Sequence, residues 1–140
     1  EIHQIKTNHV YKALYNGTRS LKETLISMIT TRGFDIGTES FSYSIDNYAV
    51  GILEGTITAE DFFADIYCLD KGDDIFDEKN FIKANPYLAT TEEGIETLRQ
   101  DCQTAKDMGG QELRDYKTKC LNLWCRDDDS QFVDIEKWKK

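Results

Sequence analysis

The sequence predicts an all-α fold, a single compact bundle of about seven helices stapled by disulfides, and three observations carry that expectation. Apolar residues recur at three- and four-residue spacing in one segment after another. Capping patterns precede several of those segments and glycines close them. The chain holds four cysteines, an even number, two of them on apolar helical stripes.

Taken in order, Val10, Tyr11, Leu14 and Tyr15 make a short apolar stripe that Gly17 interrupts. Ser20-Leu-Lys-Glu23 has the form of a capping box, in which serine accepts from an orphan N–H and glutamate reaches back. Leu21, Leu25, Met28 and Ile29 then share one helical face, and Gly33 provides a left-handed stop. The next stretch reads two ways. Phe41, Tyr43 and Ile45 alternate like a strand, whereas Phe41, Ile45, Tyr48 and Ile52 share a helical face. The second pattern is longer, so a helix ending near Gly55 is expected.

Thr58-Ala-Glu-Asp61 caps an expected apolar helix with Phe62, Phe63, Ile66, Tyr67, Cys68 and Leu69, closed by Gly72. A short helix around Phe81 and Ile82 must stop before Asn85-Pro86, because proline clashes with a helical predecessor. Thr90-Thr-Glu-Glu93 is a further capping box, ahead of the stripe Ile95, Leu98, Cys102 and Ala105. Gly109-Gly110 turns the chain into a return helix with Leu113, Tyr116, Cys120 and Leu123. Ser130 starts a last turn presenting Phe132, Ile135 and Trp138. With no repeat or linker visible, residues 1–140 read as one helical domain, long enough to bury roughly two thirds of its unfolded surface.

The cysteines decide the compartment. Cys102 and Cys120 lie on the buried faces of two helices joined by the glycine turn, about one helical turn apart in level. A small tilt brings them within bonding range, which leaves Cys68 to pair with Cys125. In the chain-entropy picture the two bridges stabilise by about 3 and 4 kcal/mol. Four cysteines allow three pairings, so this connectivity is favoured and not unique. Zinc is disfavoured: Cys68 and Cys102 are isolated, and His3 and His9 lie at the far N-terminus. Disulfides place the protein outside the cell. Asn16-Gly17-Thr18, a glycosylation sequon at Asn16, and a first residue Glu1 in place of Met lean the same way.

A net charge of -9 argues against nucleic acid and anionic membrane as partners, since both attract clustered positive charge. No apolar run approaches the ~20 residues of a membrane span. No nucleophile elbow or phosphate loop is present, and the two histidines are poor material for a triad, so no enzyme and no cofactor are expected. Asp70-Lys-Gly-Asp-Asp74 and Asp127-Asp-Asp-Ser130 carry carboxylates but lack the alternating ligands of a calcium loop, and no metal is expected. Phe41, Tyr48, Phe62, Phe63, Tyr67 and Trp124 are candidates for plain core or for a pocket holding a small hydrophobic ligand.

The run Asn85-Pro-Tyr-Leu-Ala-Thr-Thr-Glu-Glu-Gly94, with Gly109-Gly-Gln-Glu-Leu-Arg114 and Leu123-Trp-Cys125, resembles the C-terminal helices of primate lentivirus matrix proteins. That family docks on membrane through a basic N-terminal patch, which this sequence lacks. An acidic four-cysteine helical chain containing Phe62-Phe-Ala-Asp-Ile-Tyr-Cys-Leu69 is also similar to small secreted salivary proteins of mosquitoes and other blood-feeding insects. That resemblance implies a secreted, non-enzymatic effector that binds a host protein or immune-cell receptor. A carrier of a small hydrophobic ligand is the alternative, and an intracellular matrix-like assembly protein comes third.

Overall fold

In the computed structural model, which describes residues 2, 5, 7–37 and 39–126, the backbone is helical with no strand among the described residues. Five α-helices are present there: α1 (His9–Thr18), α2 (Phe41–Leu53), α3 (Phe81–Ala84), α4 (Glu92–Met108) and α5 (Gly110–Asp115). The all-α class stands; the seven-helix count and the staples do not. No disulfide joins Cys68, Cys102, Cys120 and Cys125. Cys120 instead donates to Asp101 Oδ2 at 3.6 Å, so sharing a hairpin did not amount to facing one another. The chain divides into two compact units, Glu1–Asp65 and Ile66–Lys140.

The first unit contains α1 and α2. Gly17 does not interrupt α1, which runs through it to Thr18. Asn16 lies exposed within that helix rather than in a loop. No residue of α1 is buried. Helix α2 begins where Ser40 Oγ accepts from Tyr43 N at 3.4 Å and ends short of Gly55, whose φ of +74° closes it. The 3.6-residue reading of this stretch was therefore the right one. Past the turn, Thr56 N and Ile57 N both donate to Gly51 O, at 2.9 and 3.0 Å.

Two expected helices are absent. Residues 24–33 and 62–70 run extended instead. Leu25-Ile-Ser-Met-Ile-Thr-Thr is rich in branched side chains that lose χ1 freedom in a helix. The capping patterns at Ser20 and Thr58 therefore nucleate nothing, because a cap contributes about 1 kcal/mol and cannot outweigh an unfavourable segment. Within the first unit, Arg32 Nε ties the first extended segment to α2 by a forked contact with Asp46 Oδ1 and Oδ2, at 3.2 and 3.1 Å.

The second unit holds the hydrophobic core: Leu69, Phe81, Leu98, Cys102, Ala105, Tyr116 and Leu121. Helix α3 stops at Ala84, as the proline demanded, and Asn85 Nδ2 then donates to Cys120 O at 2.7 Å. Thr91, not Thr90, caps α4, its Oγ1 accepting from Gly94 N at 3.1 Å. Leu98, Cys102 and Ala105 form the buried stripe of α4 as the spacing required. Gly109 and Gly110, at φ +61° and +51°, make the turn. The return helix is shorter than expected. After Asp115 it widens into a π-helical turn, Tyr116–Cys120, closed by Leu121 N donating to Tyr116 O at 3.1 Å. Thr118 Oγ1 bonds back to Arg114 O at 3.0 Å there, a competition that loosens helices. Asn122 at φ +52° ends the segment and donates through Nδ2 to Tyr67 O at 2.8 Å. The last turn expected around Phe132, Ile135 and Trp138, and the Asp127 acidic run, lie outside the described residues.

Candidate functional site

The aromatic candidates divide between the two units. Tyr48 and Phe62 meet edge to face at 5.1 Å in the first unit, while Phe41 packs at 5.3 Å on Tyr11. Phe63 is 89% exposed. In the second unit Tyr67 is exposed and Trp124 half-buried. Alternation along an extended segment, not burial in a helix, separates Phe62 from Phe63.

Polar groups concentrate on the loop leading into α3. Lys83 Nζ sits between Asp70 Oδ2 and Asp73 Oδ2 at 2.7 and 2.8 Å, and Asp73 Oδ2 also accepts from Asp70 N at 2.8 Å. The hydrogen bond from Lys83 and that from the Asp70 amide hold the Asp73 carboxyl below its ordinary range. The paired carboxylates in turn hold Lys83 above its own. Asp74 Oδ1 accepts from Phe76 N and Asp77 Oδ1 from Lys79 N, at 2.9 and 3.0 Å, so both serve as turn caps. Glu78 forms a two-pronged pair with Arg99, Nε to Oε2 and Nη2 to Oε1, both 2.7 Å. An open cleft of about 620 Å³ lies beside it, lined by Asp77, Glu78, Lys79, Ile82, Ala89, Ile95 and Arg99.

This loop is neutralised from within. An ammonium already occupies the position a cation would take between Asp70 and Asp73, and Asp74 and Asp77 have an oxygen committed to the backbone. Among the described residues no three His, Cys, Asp or Glu side chains are gathered to hold a metal ion. The sequence offered the acidic run but no sign that Lys83, on a helix ten residues beyond Asp73, or Arg99, one element further, would cancel it. Exposed cations carry no local marker of the loop they reach.

One thiol, Cys120, is held in its protonated form. Burial, with the Asp101 carboxylate beside it, pushes Cys120 up to about 12. Burial also raises Tyr116, whose hydroxyl donates to Ile75 O at 2.8 Å. An unfolded cysteine ionises near about 8.5. Across roughly pH 9 to 12 the unfolded chain has therefore lost a proton that the folded chain keeps, so stability is full below that window and falls through it. Urea midpoints measured from neutral to alkaline pH are expected to show this decline, and Cys120→Ser to flatten part of it. An unchanged alkaline limb in Cys120→Ser would show that this thiol plays no part.

No solved structure matches the chain. A family model described as "Terminase large subunit, endonuclease domain" matches residues 56–140, which is more than half of it and all of the second unit. The chain is 29% identical over 127 residues to Protein YmfN of Escherichia coli (strain K12), a match covering 89% of this chain and 26% of that protein. It thus spans about a quarter of the length of the curated relative.

These matches overturn the functional expectations. The similarity to salivary effectors and to lentiviral matrix proteins reflected generic helical spacing and cysteine number, neither of which specifies a family. With it go the secreted location, the immune or carrier role, the host-receptor partner and the premise for a glycan on Asn16, since free thiols provide no independent support. The exclusion of enzyme activity and of nucleic acid also falls: the family is an endonuclease family, and nucleases act on nucleic acid. Net charge sums over the whole chain and does not exclude a local contact surface. No described helix is long and apolar enough to cross a membrane. From the extent of the family match, the chain belongs to the terminase large subunit endonuclease family.

Proposed function

We propose that this chain works as part of a DNA endonuclease of the terminase large subunit type, a phage or prophage enzyme of DNA packaging. The family match over residues 56–140 is the observation that carries the reading. Hydrolysis of a phosphodiester by such enzymes commonly relies on divalent ions clamped by clustered carboxylates. The carboxylates of the loop, Asp70, Asp73, Asp74, Asp77 and Glu78, are engaged by Lys83, Arg99 and backbone turns, so this loop does not fit such ions. Their role is to build the loop and lock it onto α3 and α4. The helical hairpin of α4 and α5 is the scaffold on which that loop rests.

The test is nicking of supercoiled plasmid by a polypeptide of the relative's length that carries this chain. Cleavage is expected with Mg²⁺ or Mn²⁺ and lost with a chelator. Asp73→Asn and Asp74→Asn are expected to retain the cleavage rate within about threefold, because a scaffold role costs stability rather than chemistry. A loss of several orders of magnitude in either variant, with folding intact, would move the metal site into this loop. Absence of any metal-dependent cleavage would overturn the reading itself.

A further inference from the structure

We propose that residues 24–29 are a central β-strand awaiting its neighbours, and that those neighbours are sheet strands in the part of a terminase large subunit that this chain does not span. The proposal rests on the family reading for the identity of the partner, and on the backbone and side chains of this segment for the rest. Residues 24–29 run without turn or bend, and none of their backbone N–H or C=O groups makes a hydrogen bond among the described residues. Backbone groups of an ordered segment are nearly always paired, so six consecutive open residues form a template for strand addition.

The side chains say which kind of strand. Leu25 and Ile29 point to one face and are 91% and 81% exposed, although leucine and isoleucine are among the residues most often buried. Ile26 and Met28 take the opposite face and are half-buried. An edge strand with one wet side alternates apolar with polar. This one is apolar on both faces, the pattern of a strand covered above and below in an α/β sheet. No charge occurs from residue 24 to 31 in a chain that is 31% charged, which argues against a nucleic-acid or lipid-headgroup partner. Such an uncharged, branched, extended segment is also an aggregation hazard unless it is covered.

The surroundings agree. The hydrophobic core lies in the second unit, and α1 in the first unit buries none of its residues. A unit so short of its own core needs apolar surface from elsewhere. The relative supplies enough chain to provide it, because this match covers 26% of that protein. A second copy of the chain offers the same open strand and is the competing occupant.

Hydrogen exchange read peptide by peptide decides between them. In the 140-residue chain the amides of residues 24–29 are expected to exchange within about tenfold of the unprotected rate, while α4 is protected. In a polypeptide of the relative's length the same amides are expected to slow by at least about a thousandfold. Leu25→Ser with Ile29→Ser is expected to leave the melting midpoint of the 140-residue chain unchanged and to lower that of the longer polypeptide. Fast exchange in the longer polypeptide would overturn the proposal, as would protection of the 140-residue chain by itself. Protection that rises with concentration of the 140-residue chain would assign the edge to a second copy and overturn it too. Because exchange is read without DNA or metal, a failure here is separate from a failure to cleave plasmid.

Discussion

Phe81→Ala is expected to unfold the second unit or to bring it to the verge of unfolding. Among the described residues Phe81, with Leu121 and Cys125, is one of the largest side chains excluded almost entirely from solvent. It starts α3 and lies in the cluster with Leu69, Leu98, Cys102, Ala105, Tyr116 and Leu121. Helix α3 is a single turn of four residues, far too short to persist by itself, so its place is fixed by the burial of this ring. Removing a buried phenylalanine costs about 3–5 kcal/mol, transfer and cavity together. A domain of this size has only about 5–15 kcal/mol in total. The loss should also travel. Asn85 leaves α3 to donate to Cys120 O, and Lys83 carries the acidic loop, so a displaced α3 releases the π-helical turn and the loop together. Thermal or urea melting followed by far-ultraviolet circular dichroism checks this. A control, Ile82→Ala, changes the exposed neighbour on the same turn and should cost little. Equal effects at the two positions would mean that α3 is not held by Phe81.

How much was legible in the sequence follows from what kind of signal each element leaves. Helices α2 and α4 and the glycine turn were readable because their apolar positions repeat over several turns and their stops are glycines at positive φ. The stop at Asn85-Pro86 was readable because proline sterics are local. Residues 24–33 and 62–70 were misread, since a short apolar run fits a helical face and a strand equally well, and the arbiter is a partner strand that no local pattern reveals. Leu25 and Ile29, and again Phe62 and Phe63, were placed on helices by their spacing and by the capping patterns ahead of them, neither of which fixes a helix in so short a run. The cysteines failed for a related reason: Cys102 and Cys120 do lie on one hairpin, but the π-helical turn rotates the return segment, and its widening has no sequence mark beyond a threonine at 118. The internal neutralisation of the acidic loop was invisible because Lys83 and Arg99 reach it across separate elements. Function was least legible of all. No described residue gathers a metal site, and family membership rests on similarity over the whole second unit rather than on a motif within it.

Gly94→Ala tests the geometry at the start of α4 and is expected to run against the usual rule. Alanine for glycine inside a helix ordinarily stabilises by about 1 kcal/mol, because glycine loses more backbone freedom on folding. Gly94 is the third residue of α4, and it is buried. A Cβ there would drive into the Leu88 carbonyl oxygen and stand 2.6 Å from Thr91 Oγ1. Neither neighbour is a free end that can swing away. The Leu88 carbonyl accepts from both Thr91 N and Thr91 Oγ1, each at 3.2 Å, and Thr91 Oγ1 is the cap that accepts from Gly94 N. Relieving the clash therefore means opening the turn Leu88–Thr90 or giving up the cap. Overpacking of this kind costs about 1–3 kcal/mol, and loss of a threonine cap about 1 kcal/mol, so the sum outweighs the gain from helix propensity. The net expectation is destabilisation by about 1–3 kcal/mol, read as a lowered urea midpoint. Glu96→Ala, two residues on and exposed, should stay within about 0.5 kcal/mol and shows that alanine is tolerated in α4. Thr91→Ala separates the two contributions. If Gly94→Ala costs no more in the Thr91→Ala background than the carbonyl clash alone, the cap was already lost, whereas a stabilising Gly94→Ala would show that the turn ahead of α4 yields freely.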